Sequence, residues 1–203
     1  VDDTIEDTLR EIIKPYENLT IYYHRGKKLG RGSAIIEGIN HVLKTKYTDL
    51  IIEMDADLSH DPSELLSNIK KFNDENYDLL IASRYHKNSK IEGWTFQRKI
   101  LSFTSNKLAK ILLSVPVTDY TNGYRFYSKK AALFIIENCG KIGDGFIVLS
   151  EILLKLYYNN FKVGETFTIF KNRERGISKV NLFLILNSLY GLIKLFIIKI
   201  KRY

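Results

Sequence analysis

The chain reads as an α/β protein, a mainly parallel sheet flanked by helices and followed by an amphipathic C-terminal helix. Three observations predict this. Short apolar runs of strand length, residues 50–54 and 78–83, alternate with segments of helical period. The segment between those runs opens with a strong helix-start signal: Asp61 as cap, Pro62 at the first helical position and Glu64 three residues after the cap. Acidic and polar residues gather directly after the apolar runs, where open α/β sheets carry their binding sites.

The elements follow in order. Residues 5–16 have a helical pattern, and 19–24 read as a strand rich in β-branched and aromatic residues. Gly30 and Gly32 introduce a helix running to about Lys44, with Ile35, Ile36, Ile39, Val42 and Leu43 on its apolar face. After strand 50–54, the helix begun at Asp61 carries Leu65, Leu66, Ile69 and Phe72 inward, and strand 78–83 follows. This β-α-β-α-β alternation implies a largely parallel sheet with helices on both faces. Beyond Tyr85 the pattern predicts a polar loop over 86–94, a long helix over 95–114 and a short strand over 124–127. Helices at 129–138 and 147–158 and a strand over 162–170 complete this part. A charged turn, 172–179, leads into the last helix. No repeat or linker divides the chain, so residues 1–180 are expected to form one domain and 181–203 a terminal helix. Val1-Asp2-Asp3 looks like the end of a strand, so at least one βα unit is expected upstream of residue 1.

Composition bounds the function. At 203 residues, 45% hydrophobic and 27% charged, the chain is globular rather than disordered and long enough for a sizeable core. A net charge of +8 favours anionic partners such as nucleotides or phospholipid headgroups. A nucleic-acid partner is not expected: charge alone supports it, with no recognised module or aromatic-basic stripe. The single cysteine, Cys139, excludes an internal disulfide and a Cys/His zinc site and fits a reducing compartment. No stretch reads as a signal peptide.

The chemistry centres on Asp55-Ala56-Asp57. Two carboxylates one residue apart at a strand end can grip a divalent cation, and hard oxygen ligands suit Mg²⁺ or Mn²⁺, which often carry substrate phosphates as well. Solvated turn residues are the plain alternative. Arg84 ends a buried strand on the same lip, and Arg98 has Ser102 one turn further along its helix. Arginine suits bidentate phosphate contacts, though surface arginines at element ends read the same way. In 119–125, Asp119 reads either as a group acting on an acceptor, with Arg125 paired to it, or as part of a structural ion pair. Residues 173–179, with Arg173, Arg175, Gly176, Ser178 and Lys179, can surround a diphosphate or form a solvated charge run. The acidic start, Asp2 to Asp7, can accept from a nucleoside or decorate a helix N-terminus.

On a helical wheel the last segment separates Leu182, Ile185, Leu186, Leu189, Ile193, Phe196, Ile197 and Ile200 from Asn187, Ser188, Lys194, Lys199, Lys201 and Arg202. That pattern suits a helix lying in a bilayer interface; core packing and a membrane span are the other two readings.

Five stretches in register carry a resemblance: MDADLSHDP at 54–62, YDLLIASRY at 77–85, GW…RK..S at 93–102, D.T.GYRFY at 119–127 and R..G.SK at 173–179. The chain resembles family 2 glycosyltransferases of GT-A (Rossmann-like) fold, and within them the dolichyl- or polyprenyl-phosphate mannosyltransferases. The resemblance implies transfer of mannose from GDP-mannose to a polyprenyl or dolichyl monophosphate, with inversion, at the cytoplasmic face of a membrane. It places Val1, Asp3, Asp55, Ala56, Asp57, Arg173 and Lys179 on the donor. Asp57 and Ser59, with Asp55 as a further candidate, fall on the Mg²⁺ or Mn²⁺. Arg84, Arg98 and Ser102 fall on the acceptor phosphate, and Asp57, Arg84 and Arg98 are the catalytic candidates. Departures stand beside these matches: the usual DDGSxDGT reads DDTIEDT, and Asn122 stands where Ser or Gly is more usual. Transfer of another sugar such as glucose from UDP-glucose, transfer to a glycan hydroxyl with Asp119 as base, and an inactive membrane-associated scaffold are the alternatives.

Overall fold

The structure, a computed structural model, describes residues 1, 9–18, 21, 23–27, 29–45, 47–143, 145–172 and 182–202, the side chains of 182–184 excepted. Its centre is a four-stranded sheet of β1 (Leu50–Glu53), β2 (Leu79–Ser83), β4 (Arg125–Ser128) and β5 (Val163–Phe167), in the order β1-β4-β2-β5. β2 and β5 pair in parallel, whereas β4 lies antiparallel between β1 and β2. The sheet is therefore mixed, with β4 alone reversed. That reversal brings the start of β4 to the same edge as the ends of β1 and β2.

β2 is buried on both faces, as a central strand with helices on each side requires: Leu79, Leu80, Ile81 and Ala82 have no exposed surface. Alternate residues divide between two cores. Leu79, Ile81, Ile51 and Tyr127 meet α2 (Arg31–Thr45), α5 (Lys129–Asn138) and α6 (Ile147–Tyr158) through Ile39, Ile135, Val148 and Ile152. Leu80, Ala82, Tyr124 and Phe126 meet Phe72, Leu65 and Ile69 of α3 (Leu65–Asp74) on the other face.

The caps explain the boundaries. Asp61 accepts from the Ser63 N–H, and its helix opens with a 3-10 turn, Pro62–Glu64, before α3 begins. Thr95 caps α4 (Phe96–Leu113) through the Arg98 N–H, and Ser114 closes it in the left-handed conformation at φ 56°. Ser128 ends β4 and caps α5 at once. The expected early helix is described as α1 (Arg10–Ile13) and a 3-10 turn, Lys14–Tyr16, since Pro15 cannot continue an α-helical ladder. Of the expected strand at 19–24, residues 19, 20 and 22 lie outside the described residues, as do 2–8 at the start. The expected strand 162–170 breaks at Thr168 into β5 and β6 (Ile169–Phe170). There the Thr168 hydroxyl donates to Glu64, and β6 pairs instead with β3 (Lys90–Ile91).

α7 (Leu182–Arg202) docks through a narrow stripe. Leu192 and Leu195 join the core, and Gly191 sits so close to Ile147 that a Cβ there would lie 2.6 Å from its Cγ1. Lys199 ties the helix to the end of α4 by donating to the Leu112 carbonyl and the Ser114 hydroxyl. No helix among the described residues is long and apolar enough to cross a membrane.

Arg125 is the largest fully buried side chain among the described residues, and its guanidinium donates to the carbonyls of Asn122, Tyr120 and Leu149. Arg125→Met would orphan these three buried acceptors at about 1–3 kcal/mol each. A urea titration should show stability falling by roughly 3 kcal/mol or more; a loss under about 1 kcal/mol would mean the 120–125 turn does not depend on this residue.

Candidate functional site

Three segments meet at one edge of the sheet: 54–61 leaving β1, 84–85 leaving β2 and 118–124 entering β4. Asp57 lies in the first. Its Oδ1 accepts from the Ser59 N–H at 3.1 Å and the Ser59 hydroxyl at 2.6 Å, closing a tight turn over Leu58. Leu58 takes the left-handed conformation at φ 62°, uncommon for a bulky side chain, and is half-exposed. Ser59 is buried, so its hydroxyl orients Asp57 from below. Ala56 is exposed on the rim.

Asp55 is engaged by Arg31, the first residue of α2. The guanidinium reaches its two oxygens at 2.7 and 3.1 Å and Glu53 at 3.4 Å. Glu53 also accepts from the Tyr127 hydroxyl at 2.8 Å, and its burial, opposed by Arg31, holds its carboxyl above the ordinary range. Arg31 fits because residue 123 is glycine: a Cβ at Gly123 would lie 1.8 Å from Arg31 Nη2. Among the described residues no group of three or more His, Cys, Asp or Glu is placed to hold a metal ion by itself.

His60 links the three segments. Its Nδ1 accepts from the Asp55 N–H at 3.0 Å, so Nε2 carries the proton toward Asn122 Oδ1 at 3.1 Å. Asn122 in turn donates to the Ala82 carbonyl at the end of β2. Burial lowers the His60 pKa, which keeps the ring neutral in this bridging role. The ring stacks on Tyr124 and meets Phe170 edge-on.

Arg84 and Asp119 form a two-pronged ion pair with both contacts at 2.8 Å, and Asp119 has no exposed surface. Its carboxylate also accepts from the N–H groups of Arg84, Thr121 and Asn122. Of the two readings of 119–125, the structural ion pair is the one observed. Its cation is Arg84 and not Arg125, which is occupied by backbone carbonyls. Glu165 on β5 holds the turn from behind, accepting from the N–H groups of Thr118 at 2.7 Å and Asp119 at 2.9 Å. Thr121 accepts from Arg84 Nη2 at 2.7 Å.

Arg98 stacks on Trp94, its guanidinium carbon 4.0 Å from the ring centroid, and that of Arg84 lies 5.5 Å from the same ring. Arg98 Nη1 donates to Asn172 at 3.2 Å. Gly93, at φ 72°, permits this approach, since a Cβ there would meet Asn172 Cβ at 2.8 Å. Ser102 lies half-buried one turn beyond Arg98, where its carbonyl accepts from Asn106 Nδ2. Beside them Tyr85, Ile91, Lys99, Ile100 and Phe103 line an open cleft of about 300 Å³. Val1 is exposed and lies against Gly38 of α2. Asp3, Arg173 and Lys179 fall outside the described residues.

The family model for glycosyl transferase family 2 matches residues 1–134. The chain belongs to this family. It is 35% identical over 158 residues to a polyprenol monophosphomannose synthase of Mycolicibacterium smegmatis, covering 78% of this chain and 58% of that protein. It is 33% identical over 175 residues to a dolichol-phosphate mannosyltransferase of Pyrococcus furiosus, covering 84% of this chain and 47% of that protein. The chain thus spans 58% and 47% of the lengths of these two relatives. Two crystal structures of glucosyl-3-phosphoglycerate synthase from Mycobacterium tuberculosis share the fold, each at 12% identity over 92% of this chain. The one in complex with phosphoglyceric acid gives a TM-score of 0.55 over 59% of its own chain, and the one in complex with UDP gives 0.52 over 58%. The architecture is the GT-A glycosyltransferase fold.

Sequence reasoning missed Arg31, His60 and Glu165. Arg31 had one local signal: a cation at the first helical position opposes the helix dipole and needs a carboxylate partner. His60 sits in plain view between Ser59 and Asp61, but its partners are set by tertiary contact. Glu165 lies in an ordinary strand pattern and carried no signal.

The Asp119 carboxyl is pushed up by burial, but Arg84 and the surrounding N–H groups outweigh this and hold it below the ordinary carboxylate range. A depressed acid contributes stability above its unfolded value, about 3.9, and loses it as pH falls through the folded value. Denaturation followed from pH 6 downward should show stability declining below about pH 4. Asp119→Asn should be less stable at pH 6 and flatter across that acid range; parallel profiles would show that this pair is not the source.

Proposed function

We propose that this chain forms the catalytic part of an enzyme that transfers mannose from GDP-mannose to a polyprenyl or dolichyl monophosphate, inverting the anomeric centre. The observation that carries the reading is the pairing of two cations with apolar surface: Arg84 and Arg98 lie against Trp94 beside the cleft of Tyr85, Ile91, Ile100 and Phe103. An acceptor with an anionic head and an apolar tail fits such a surface. The names of the relatives from Mycolicibacterium and Pyrococcus support the same substrate class.

The acceptor phosphate, with a second pKa near 6, is largely a dianion at pH 7 and needs no general base. This agrees with the burial of Asp119, which is too enclosed to take a proton from a sugar hydroxyl. Arg84 and Arg98, with Ser102 on the same helix face as Arg98, offset the repulsion between the acceptor phosphate and the donor diphosphate. Asp55, Ala56 and Asp57 form the donor rim, which Val1, Asp3, Arg173 and Lys179 are proposed to extend.

A Mg²⁺ or Mn²⁺ ion fits the donor set. Asp57 offers a hard carboxylate at a strand end, oriented by Ser59, and such ions often use one or two carboxylates together with substrate phosphates. Asp55 is the weaker candidate because Arg31 occupies its oxygens. When bound, the ion would offset negative charge on the departing diphosphate.

Residues 181–203 are proposed to hold the protein peripherally at the cytoplasmic face of a membrane. Among the described side chains of α7, Ile185, Leu186, Leu189, Tyr190, Ile193, Ile197 and Ile200 remain exposed after it docks. Lys194 and Lys199 within the same helix would each cost roughly 2.5–3.5 kcal/mol at a bilayer centre, which favours the surface over a span.

Transfer of labelled mannose to polyprenyl phosphate tests the reading, with UDP-glucose as the competing donor. Asp57→Ala should lower turnover by roughly a hundredfold or more. Arg98→Ala should raise the acceptor KM by roughly 10- to 100-fold and leave donor affinity nearly unchanged. Full turnover in Asp57→Ala, or equal loss of donor and acceptor binding in Arg98→Ala, would overturn these roles; preference for UDP-glucose would overturn the choice of donor.

A further inference from the structure

On the side of the fold built by α5, α6 and α7 lies a cleft of about 540 Å³ that shares no residue with the lip described above. Four cations line it: Lys141 after α5, Lys155 on α6, and Lys194 and Arg202 on α7. Lys155 is neutralised by Glu151 at 2.6 Å and donates to the Asn138 carbonyl. Among the described residues, Lys141, Lys194 and Arg202 make no ion pair and no carboxylate lines the cleft. Lys194 lies 4.4 Å from the Tyr190 ring centroid, which places its ammonium over an aromatic face.

The surroundings select the anion. Ile197 and Ile198 form the apolar part of the wall. Ile197 is 45% exposed and belongs at the same time to the outward stripe of Ile193 and Ile200. On a helical wheel Lys194 lies about 60° beyond Ile197 and flanks that stripe, whereas Arg202 lies behind it, beside the docked Gly191 and Leu195. A ligand seated here meets three cations that have no ion pair among the described residues and, across Ile197, a surface suited to hydrocarbon. A free nucleotide or inorganic phosphate would use the first and leave the second unexplained.

We propose that this cleft binds the headgroup of an anionic phospholipid while the stripe of α7 rests on the acyl chains around it. The inference rests on the membrane-surface reading of α7 and adds to it a defined site and a lipid preference. It also fixes rotation about the axis of α7, because the headgroup and the stripe must be engaged together. The orientation of the acceptor cleft toward the membrane would then be set by two independent contacts.

Sedimentation with phosphatidylcholine vesicles, with and without phosphatidylglycerol, tests this on the whole chain. Each cation near an anionic surface strengthens binding about fivefold. Lys141→Gln/Lys194→Gln/Arg202→Gln should therefore weaken binding to the phosphatidylglycerol vesicles by roughly a hundredfold and leave binding to phosphatidylcholine unchanged. A matched variant, Lys44→Gln/Lys70→Gln/Lys87→Gln, changes net charge equally away from the cleft and should lose no more than about fivefold. Lys141→Arg/Lys194→Arg should bind as the parent does. Single replacements at these exposed positions, each losing about fivefold, serve the same purpose if the triple variant does not fold.

Equal losses in the two triple variants would reduce the effect to net charge and overturn the site. So would displacement by millimolar inorganic phosphate without any preference for phosphatidylglycerol, which would make the ligand a free anion. If the parent protein binds neither vesicle, the membrane-surface reading fails together with this one. If it binds both alike and the triple variant does too, that reading stands and only the headgroup site falls.

Discussion

A carboxylate with no exposed surface must recover its lost hydration from its neighbours, at stake being several kcal/mol. Asp119 does so with the Arg84 guanidinium and the N–H groups of Arg84, Thr121 and Asn122. Each of those groups belongs to a segment that the site needs. The end of β2 is held by Arg84, the turn into β4 by Thr121 and Asn122, and the turn between β1 and α3 by the Asn122–His60 contact. Glu165 braces the same turn from β5, so strands on two sides of β2 share one polar knot. The lip is thus a single hydrogen-bonded unit, and its geometry does not depend on any one loop.

The reversed strand β4 is what makes this unit possible. A purely parallel sheet would bring only strand ends to this edge. Here the beginning of β4 arrives between the ends of β1 and β2, with Arg125 placed opposite Glu53 and Ile81. Arg125 anchors the approach through backbone carbonyls and leaves Arg84 to serve Asp119. The two arginines divide the labour: one supports the turn, and the other faces the aromatic residues Trp94, Tyr85 and Phe170 at the proposed acceptor side.

Much of this was legible in the residues. The period of the apolar positions located α3 to α6 closely, and the Asp61 cap marked the start of the first of them, because helix ends depend on local chemistry. Asp57 and Arg84 were visible as polar residues ending apolar runs. The direction and place of β4 were not, since a four-residue strand carries no mark of the neighbours it will pair with. The break at Thr168 was hidden for a similar reason: the side chain that draws it away, Glu64, lies far off in the chain. The partner of Asp119 was assigned to the nearer arginine, Arg125, whereas burial and sheet order bring Arg84. For α7, the wheel separated polar from apolar residues, but docking uses Gly191, Leu192 and Leu195, a third face defined by fit against Ile147.

The absence of a side chain at Gly123 carries a consequence for the charge of the donor rim. The guanidinium of Arg31 occupies the volume that a methyl group there would fill, and from that place it neutralises Asp55. Size at position 123 and charge at position 31 are therefore a linked pair, and relatives with a larger residue at the first should lack a cation at the second. In such relatives Asp55 would lose the charge that faces it here, and the rim would demand more positive charge from its ligands. The appetite of the site for a cation is in this way tuned from the start of a neighbouring helix, by a residue that need never touch the substrate.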